Sequence, residues 1–155
     1  LIDRFIKSLN ISKEDGLLLV GHGGLGSGNS SYGNLQFKLI RDGLTNVRIA
    51  VLENAPYVAD VAMPWEWLDG KRPNTIYVHP LLLVLGDHAQ NDLFGDEEDS
   101  VINELADYGY EVKPIHSALG EYEAIQDIFR QHVQDCIDDL YGKRSPHRPT
   151  IPNIK

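Results

Sequence analysis

GLLLVGHGGLGSGNSSYG, residues 16–33, is the stretch whose reading decides the fold. Leu17, Leu18, Leu19 and Val20 make a short apolar run flanked by glycine, which predicts a buried strand over residues 16–21. The run then breaks into Gly21, Gly23 and Gly26, spaced as G-x-G-x-x-G. That is the turn by which dinucleotide-binding domains cradle a phosphate. Its second letter, however, is His22, and residues 27–31 intervene before a helical period resumes at Tyr32. In the dinucleotide fingerprint the third glycine opens the helix, and an acid some 20 residues on contacts the ribose. Glu53 comes late for that role, and an imidazole among the glycines would crowd a pyrophosphate. His22-Gly23-Gly24 also resembles an esterase oxyanion loop, but no G-x-S-x-G string supplies a nucleophile.

Outward from this stretch the periods alternate. Ile2, Phe5, Ile6 and Leu9 lie at i, i+3, i+4 and i+7, a short amphipathic helix. Tyr32, Leu35, Leu39 and Ile40 continue a second helix, with Gly43 as its stop. Residues 47–52 read as the next strand and 55–68 as a weak helix that Pro64 kinks or restarts. Residues 75–84 read as a third strand, apolar on both faces except for His79, which lies before Pro80 and reads as structural. A helix is expected over 96–108, with Asp96, Glu97, Glu98 and Asp99 crowding its N-terminal turn. Residues 111–116 form a fourth strand. The longest helix, 121–141, carries Ile125, Phe129, Val133, Ile137 and Leu140 as its expected inner stripe. This order predicts an α/β domain over residues 1–141: a four-stranded parallel sheet with helices on both faces. Residues 142–155 form a Pro-rich basic tail, with Pro146, Pro149, Pro152, Lys143, Arg144 and Arg148.

Composition narrows the function. The 155 residues imply one domain, and 42% hydrophobic residues suffice for a core. A net charge of −9 argues against a nucleic-acid partner, which needs a basic face. No run approaches the ~18 apolar residues of a membrane-spanning helix. Cys136 is the only cysteine, so no internal disulfide forms. That suits a reducing, cytoplasmic setting. The chain begins at Leu1 rather than Met, which leaves an exported form open.

In an open parallel sheet, ligands bind beyond the carboxyl ends of the strands. The residues expected there are His22 after the first strand, Glu53 after the second, Gly86-Asp87-His88 after the third, and His116-Ser117 after the fourth. Two histidines and a carboxylate at three strand ends make a ligand set for a borderline divalent ion with open positions left for chemistry. Their spacings are those of βα units, not of a local metal motif. A lone histidine at a strand end is more often a hydrogen-bonded loop residue; three candidates together bring the two readings level. His132 and His147 read as a helix-surface and a tail residue.

Several strings together carry a resemblance. They are Gly21-His22-Gly23 followed by Asn29-Ser30-Ser31-Tyr32-Gly33, then Val51-Leu52-Glu53, and Gly86-Asp87-His88-Ala89-Gln90-Asn91-Asp92 after Pro80-Leu81-Leu82-Leu83-Val84-Leu85. Gly95-Asp96-Glu97-Glu98-Asp99-Ser100 and Gly120-Glu121 extend it. Over about residues 1–140 the sequence resembles the C-terminal half of the anaerobic, class II sirohydrochlorin cobaltochelatases of cobalamin biosynthesis. The resemblance implies a chelatase-like three-layer fold, and a lyase-class enzyme that inserts Co2+ into sirohydrochlorin without ATP. Ni2+, Fe2+ and Zn2+ are alternative substrate metals, and no further cofactor is implied. It assigns His22, Glu53 and His88 to the metal, His22 and Glu53 to catalysis, and Gly23, Ser30 and Tyr32 to the tetrapyrrole. The glycines of 21–28 then read as clearance for a flat macrocycle. The family's first loop usually continues with a further histidine and Pro-Ala-Asn, where this chain has residues 24–29, GLGSGN. The implied partners are the tetrapyrrole, the metal, and a missing N-terminal half or a second copy that completes the cleft. A non-catalytic metal- or tetrapyrrole-binding module is the alternative. Only Lys38, Arg41 and Arg48 are basic in the first two βα units. Substrate carboxylates are therefore expected to meet backbone N–H groups, the hydroxyls of Ser27, Ser30, Ser31 and Tyr32, or the other half.

Overall fold

Leu17 to Val20 are fully buried because their strand, β1 (Gly16–Gly23), lies inside the sheet with helices over both faces. The computed structural model describes residues 2–62 and 72–142. Helix α1 (Ile2–Ser8) precedes β1; α2 (Ser30–Arg41), β2 (Val47–Glu53), α3 (Val58–Ala62) and β3 (Thr75–Pro80) follow. Then come α4 (Asp87–Phe94), α5 (Val101–Asp107), β4 (Glu111–Pro114) and α6 (Glu123–Leu140). The sheet order is β2-β1-β3-β4, and every neighbouring pair is parallel.

Strand alternation divides the core in two. Leu17 and Leu19 point to one face and pack with Phe5, Leu39, Val47 and Ile49. Leu18 and Val20 point to the other, among Ala50, Ile76, Val78, Leu93, Val101 and Leu105. The three-layer α/β architecture expected from the sequence is therefore the one observed. Gly43 and Gly109 end their helices at φ +82° and +87°, where only glycine is unstrained.

Several boundaries depart from the sequence reading. The third strand stops at Pro80 rather than running on to Val84. Proline has no N–H to continue the ladder, so Leu83 and Val84 leave the sheet and stand 47% and 74% exposed. The helix expected over 96–108 starts later, as α5, and the preceding α4 was not expected. The acidic run is an exposed turn between α4 and α5, held by Asn103 Nδ2 donating to Glu97 O at 2.8 Å. Helix α4 has too few apolar residues to announce itself. The weak helix of 55–68 is seen as α3; its remainder, with Pro64, Trp65 and Leu68, falls outside the described residues, as does the tail from Lys143. Residues 26–29 are a 3-10 turn leading directly into α2 at Ser30, so the interruption before the helix is shorter than expected.

The largest correction concerns α6, which has no buried residue. Of the expected inner stripe, Phe129, Val133, Ile137 and Leu140 are exposed and only Ile125 is half-buried. The other half-buried residues of the helix are Ala124, Gln126, Ile128, Gln131, Asp135 and Asp138. The helix is fixed to the body mainly at its start, where Tyr122 meets Phe5 edge-on at 5.0 Å.

His79 is structural, as expected. It lies on the α1 face of β3, completely buried, with Phe5 edge-on at 5.0 Å. Nδ1 lies 2.8 Å from Pro80 O, a pure acceptor, so Nδ1 carries the proton. Nε2 therefore accepts from the Tyr122 hydroxyl at 2.9 Å. Burial pushes the imidazole pKa below its ordinary 6.5, partly opposed by the Pro80 carbonyl and by Glu121. The unfolded chain then binds more protons than the native state between 6.5 and the lower native value. Stability present above 6.5 is lost as pH falls through that window. Urea denaturation midpoints of the protein and of His79→Gln at about pH 7 and about pH 5 check this. The variant is expected to lose less stability on acidification. An equal loss in both proteins contradicts the assignment.

Candidate functional site

His22 stays on the Leu18–Val20 row of β1, and Glu53 ends β2 beside it, in the register Gly23 opposite Glu53. The two side chains are 60% and 57% exposed, with His22 Nδ1 4.0 Å from Glu53 Oε2. That is too long for a hydrogen bond. It is short enough for both atoms to sit about 2.1 Å from a single ion. They line a cleft of about 230 Å3 together with Leu52, Asp92 and Asp99. Among the described residues, no cation pairs with either aspartate, and no group of three or more His, Cys, Asp or Glu side chains is close enough to hold a metal. The described part of the site is thus a two-donor set.

The third expected donor, His88, is the second residue of α4. Its side chain lies outside the described set. Its position is one helical turn before Asp92, and residues four apart share a helix face. His79, one position before the end of β3, projects to the opposite face of the sheet and cannot join. His116 follows β4, at the far side of the sheet from β2, and meets the Phe94 ring at a tilt, centroids 4.4 Å apart. Asp92 and Asp99 were missed as lining residues. Asp92 stands in the quoted string, but only the existence of α4 gives it a direction. Asp99 reads from sequence as a helix-dipole acid.

The glycines provide clearance, though not for a macrocycle at the first two positions. A Cβ on Gly21 would lie 2.4 Å from Tyr32 Cε1. One on Gly23, at φ +82°, would lie 2.1 Å from Glu53 O. Gly21 thus admits the α2 tyrosine and Gly23 admits β2. Gly24 and Gly28 face open space. Of the expected substrate-binding set, the Tyr32 hydroxyl accepts from Gly23 N at 3.4 Å, and Ser30 Oγ donates to Ser27 O at 2.7 Å. Asn29 Nδ2 donates to Glu53 O at 3.1 Å and Ala55 O at 3.0 Å, tying the loop to the end of β2. The basic residues lie elsewhere. Lys38 and Arg41 both engage Asp42, and Arg48 is buried near the start of β2, donating to Thr45 O at 2.6 Å.

Residues 1–138 match the family model described as cobalt chelatase (CbiK). The chain belongs to the cobalt chelatase family. Its sequence is similar to the sirohydrochlorin cobaltochelatase of Salmonella typhimurium, 26% identical over 129 residues. That match takes in 83% of this chain and 47% of the relative. The chelatase-family chain therefore spans about half the length of that relative. Its fold is similar to that of a cobalamin (vitamin B12) biosynthesis CbiX protein from Marinobacter aquaeolei VT8, with a TM-score of 0.58 and 18% identity. The structural likeness covers 82% of this chain and 98% of that one.

Proposed function

We propose that this chain carries the metal-handling half of a sirohydrochlorin chelatase, inserting a divalent ion, Co2+ first, into the tetrapyrrole without ATP. The observation that carries this reading is the pairing of His22 with Glu53 at adjacent strand ends, 4.0 Å apart over an acidic cleft. His88 is the third donor, supported by its place one turn before the cleft-lining Asp92. Insertion breaks two pyrrole N–H bonds and forms metal–nitrogen bonds in their place. The two protons must leave for nearby bases. Glu53 and a neutral His22 can hold the ion, accept a proton, or do each in turn. Three protein donors leave positions for the macrocycle, whereas a closed cage would retain the metal. The ligand set does not choose cobalt, since nickel, copper and zinc bind such donors at least as well; supply and exchange rate decide. A cytoplasmic setting, suggested by the single cysteine, suits such a reaction.

Half the length of the relative, and an acidic cleft facing a polycarboxylate substrate, both support a second half that completes the pocket. Of the residues expected on the tetrapyrrole side, exposed Ser30 is the one proposed for the wall that this chain contributes, while Gly23 and Tyr32 shape the loop behind it. The test is anaerobic incubation of the chain with sirohydrochlorin and Co2+, followed by the absorption change on metallation. Protein-dependent insertion above the uncatalysed rate is expected. Binding of metal or tetrapyrrole with no insertion would instead mark a binding module.

A further inference from the structure

Pairing between β1 and β2 ends where the site begins, at Gly23 opposite Glu53. Beyond that point the chain diverges into two loops, residues 24–29 leading to α2 and residues 54–57 leading to α3. Two asparagines lace these loops together. Asn29 Nδ2 donates to Glu53 O at 3.1 Å and to Ala55 O at 3.0 Å. In the opposite direction, Asn54 Nδ2 donates to Gly24 O at 2.9 Å. The bonds cross the gap from both sides, so the loops cannot slide apart without breaking them.

The local chemistry of each residue is turned to this purpose. Asn29 stands at the N-cap of α2, where an Asn side chain ordinarily accepts from the first helical turn, yet it makes no capping bond. A primary amide has two N–H donors, and Asn29 spends them on two carbonyls 24 and 26 residues further along the chain. Asn54 has φ +67°, the left-handed region in which Asn is among the few common non-glycine residues. That turn ends β2, and the amide it carries meets Gly24.

We propose that Asn29 and Asn54 are positioning residues for the metal. They clamp the end of β2 to the loop after His22, and so set the spacing at which His22 and Glu53 hold the ion. The proposal rests on the reading of those two residues as donors. Both donor side chains are mostly exposed, so their 4.0 Å separation depends on the backbone beneath them rather than on packing around them. The clamp grips backbone carbonyls only. It therefore fixes Glu53 without occupying the carboxylate oxygens that the ion needs. Partners that orient metal ligands typically account for about 10–100-fold in metal affinity.

The test is anaerobic titration of the protein with Co2+ alone, read by the visible absorption of the bound ion. Asn29→Ser keeps a good N-cap and removes the long amide; Asn54→Gly keeps the left-handed turn and deletes only the side chain. Each is expected to weaken Co2+ binding at least about 10-fold and to change the spectrum of the bound ion. Thermal midpoints are expected to stay close to wild type, because all three bonds lie at the exposed rim. Placed in a Glu53→Ala background, Asn29→Ser is expected to cause little further loss, since the clamp acts through Glu53. Wild-type affinity in both asparagine variants, with binding that still requires His22, overturns the clamp and leaves the metal site standing. So does a loss of equal size with and without Glu53, or one that tracks a large fall in thermal midpoint, either of which marks a structural role. A wild type that binds no Co2+, or binds it equally after His22→Ala, overturns the donor reading and the clamp together.

Discussion

Replacing His22 by alanine is expected to reduce cobalt insertion at least about 100-fold, toward the uncatalysed background. The imidazole is the one nitrogen donor described in the cleft, and Glu53 without it is a lone exposed carboxylate. A single carboxylate neither fixes an ion in a low-coordinate geometry nor supplies a second proton acceptor. Native stability is expected to change little, because the side chain is mostly exposed and packs into no core. His88→Ala should act in the same direction. Glu53→Gln keeps the shape and removes the charge, so it separates ion binding from packing. Rates of metallation and a thermal melt for each variant decide the matter. Wild-type rates in both histidine variants would remove the site assignment.

Gly23→Ala is expected to damage site and fold together, without replacing any candidate metal ligand. The backbone there has φ +82°, a region in which an L residue costs about 1–2 kcal/mol. The added Cβ would also meet Glu53 O at 2.1 Å, and that atom is backbone, which cannot swing aside as a side chain would. Separating β1 from β2 at this point moves Glu53 away from His22 and strains the Asn29 bonds to Glu53 and Ala55. A destabilisation of about 3 kcal/mol is expected once strain and overpacking add. Gly24→Ala, at the next residue but facing open space, should cost far less. Chemical denaturation of the two variants side by side gives the comparison. Equal stabilities would mean that the close approach at Gly23 is relieved cheaply.

The sequence by itself determined the layering and the ends of the first two strands. Unbroken apolar runs such as Leu17–Val20 need cover on both faces, and only a sheet between two helical layers provides it. Once four parallel strands are given, residues after each strand must collect along one edge. His22 and Glu53 were legible for that reason. Tertiary structure decided the rest, because those choices are made between segments and not within them. Strand order placed β1 between β2 and β3, so that His22 neighbours Glu53 while His116 lies beyond β3. Pleat parity sent His79 to the face opposite His22. Contact with β2 and Tyr32, not with a ligand, explains Gly23 and Gly21. Amphipathic spacing in α6 told that a stripe must be covered, but not by what. The domain turns that stripe outward, because Tyr122 pins the start of the helix against Phe5 and His79 and its more polar row follows the body. A periodicity records which face must leave water; only the assembled fold shows whether its cover belongs to the same chain.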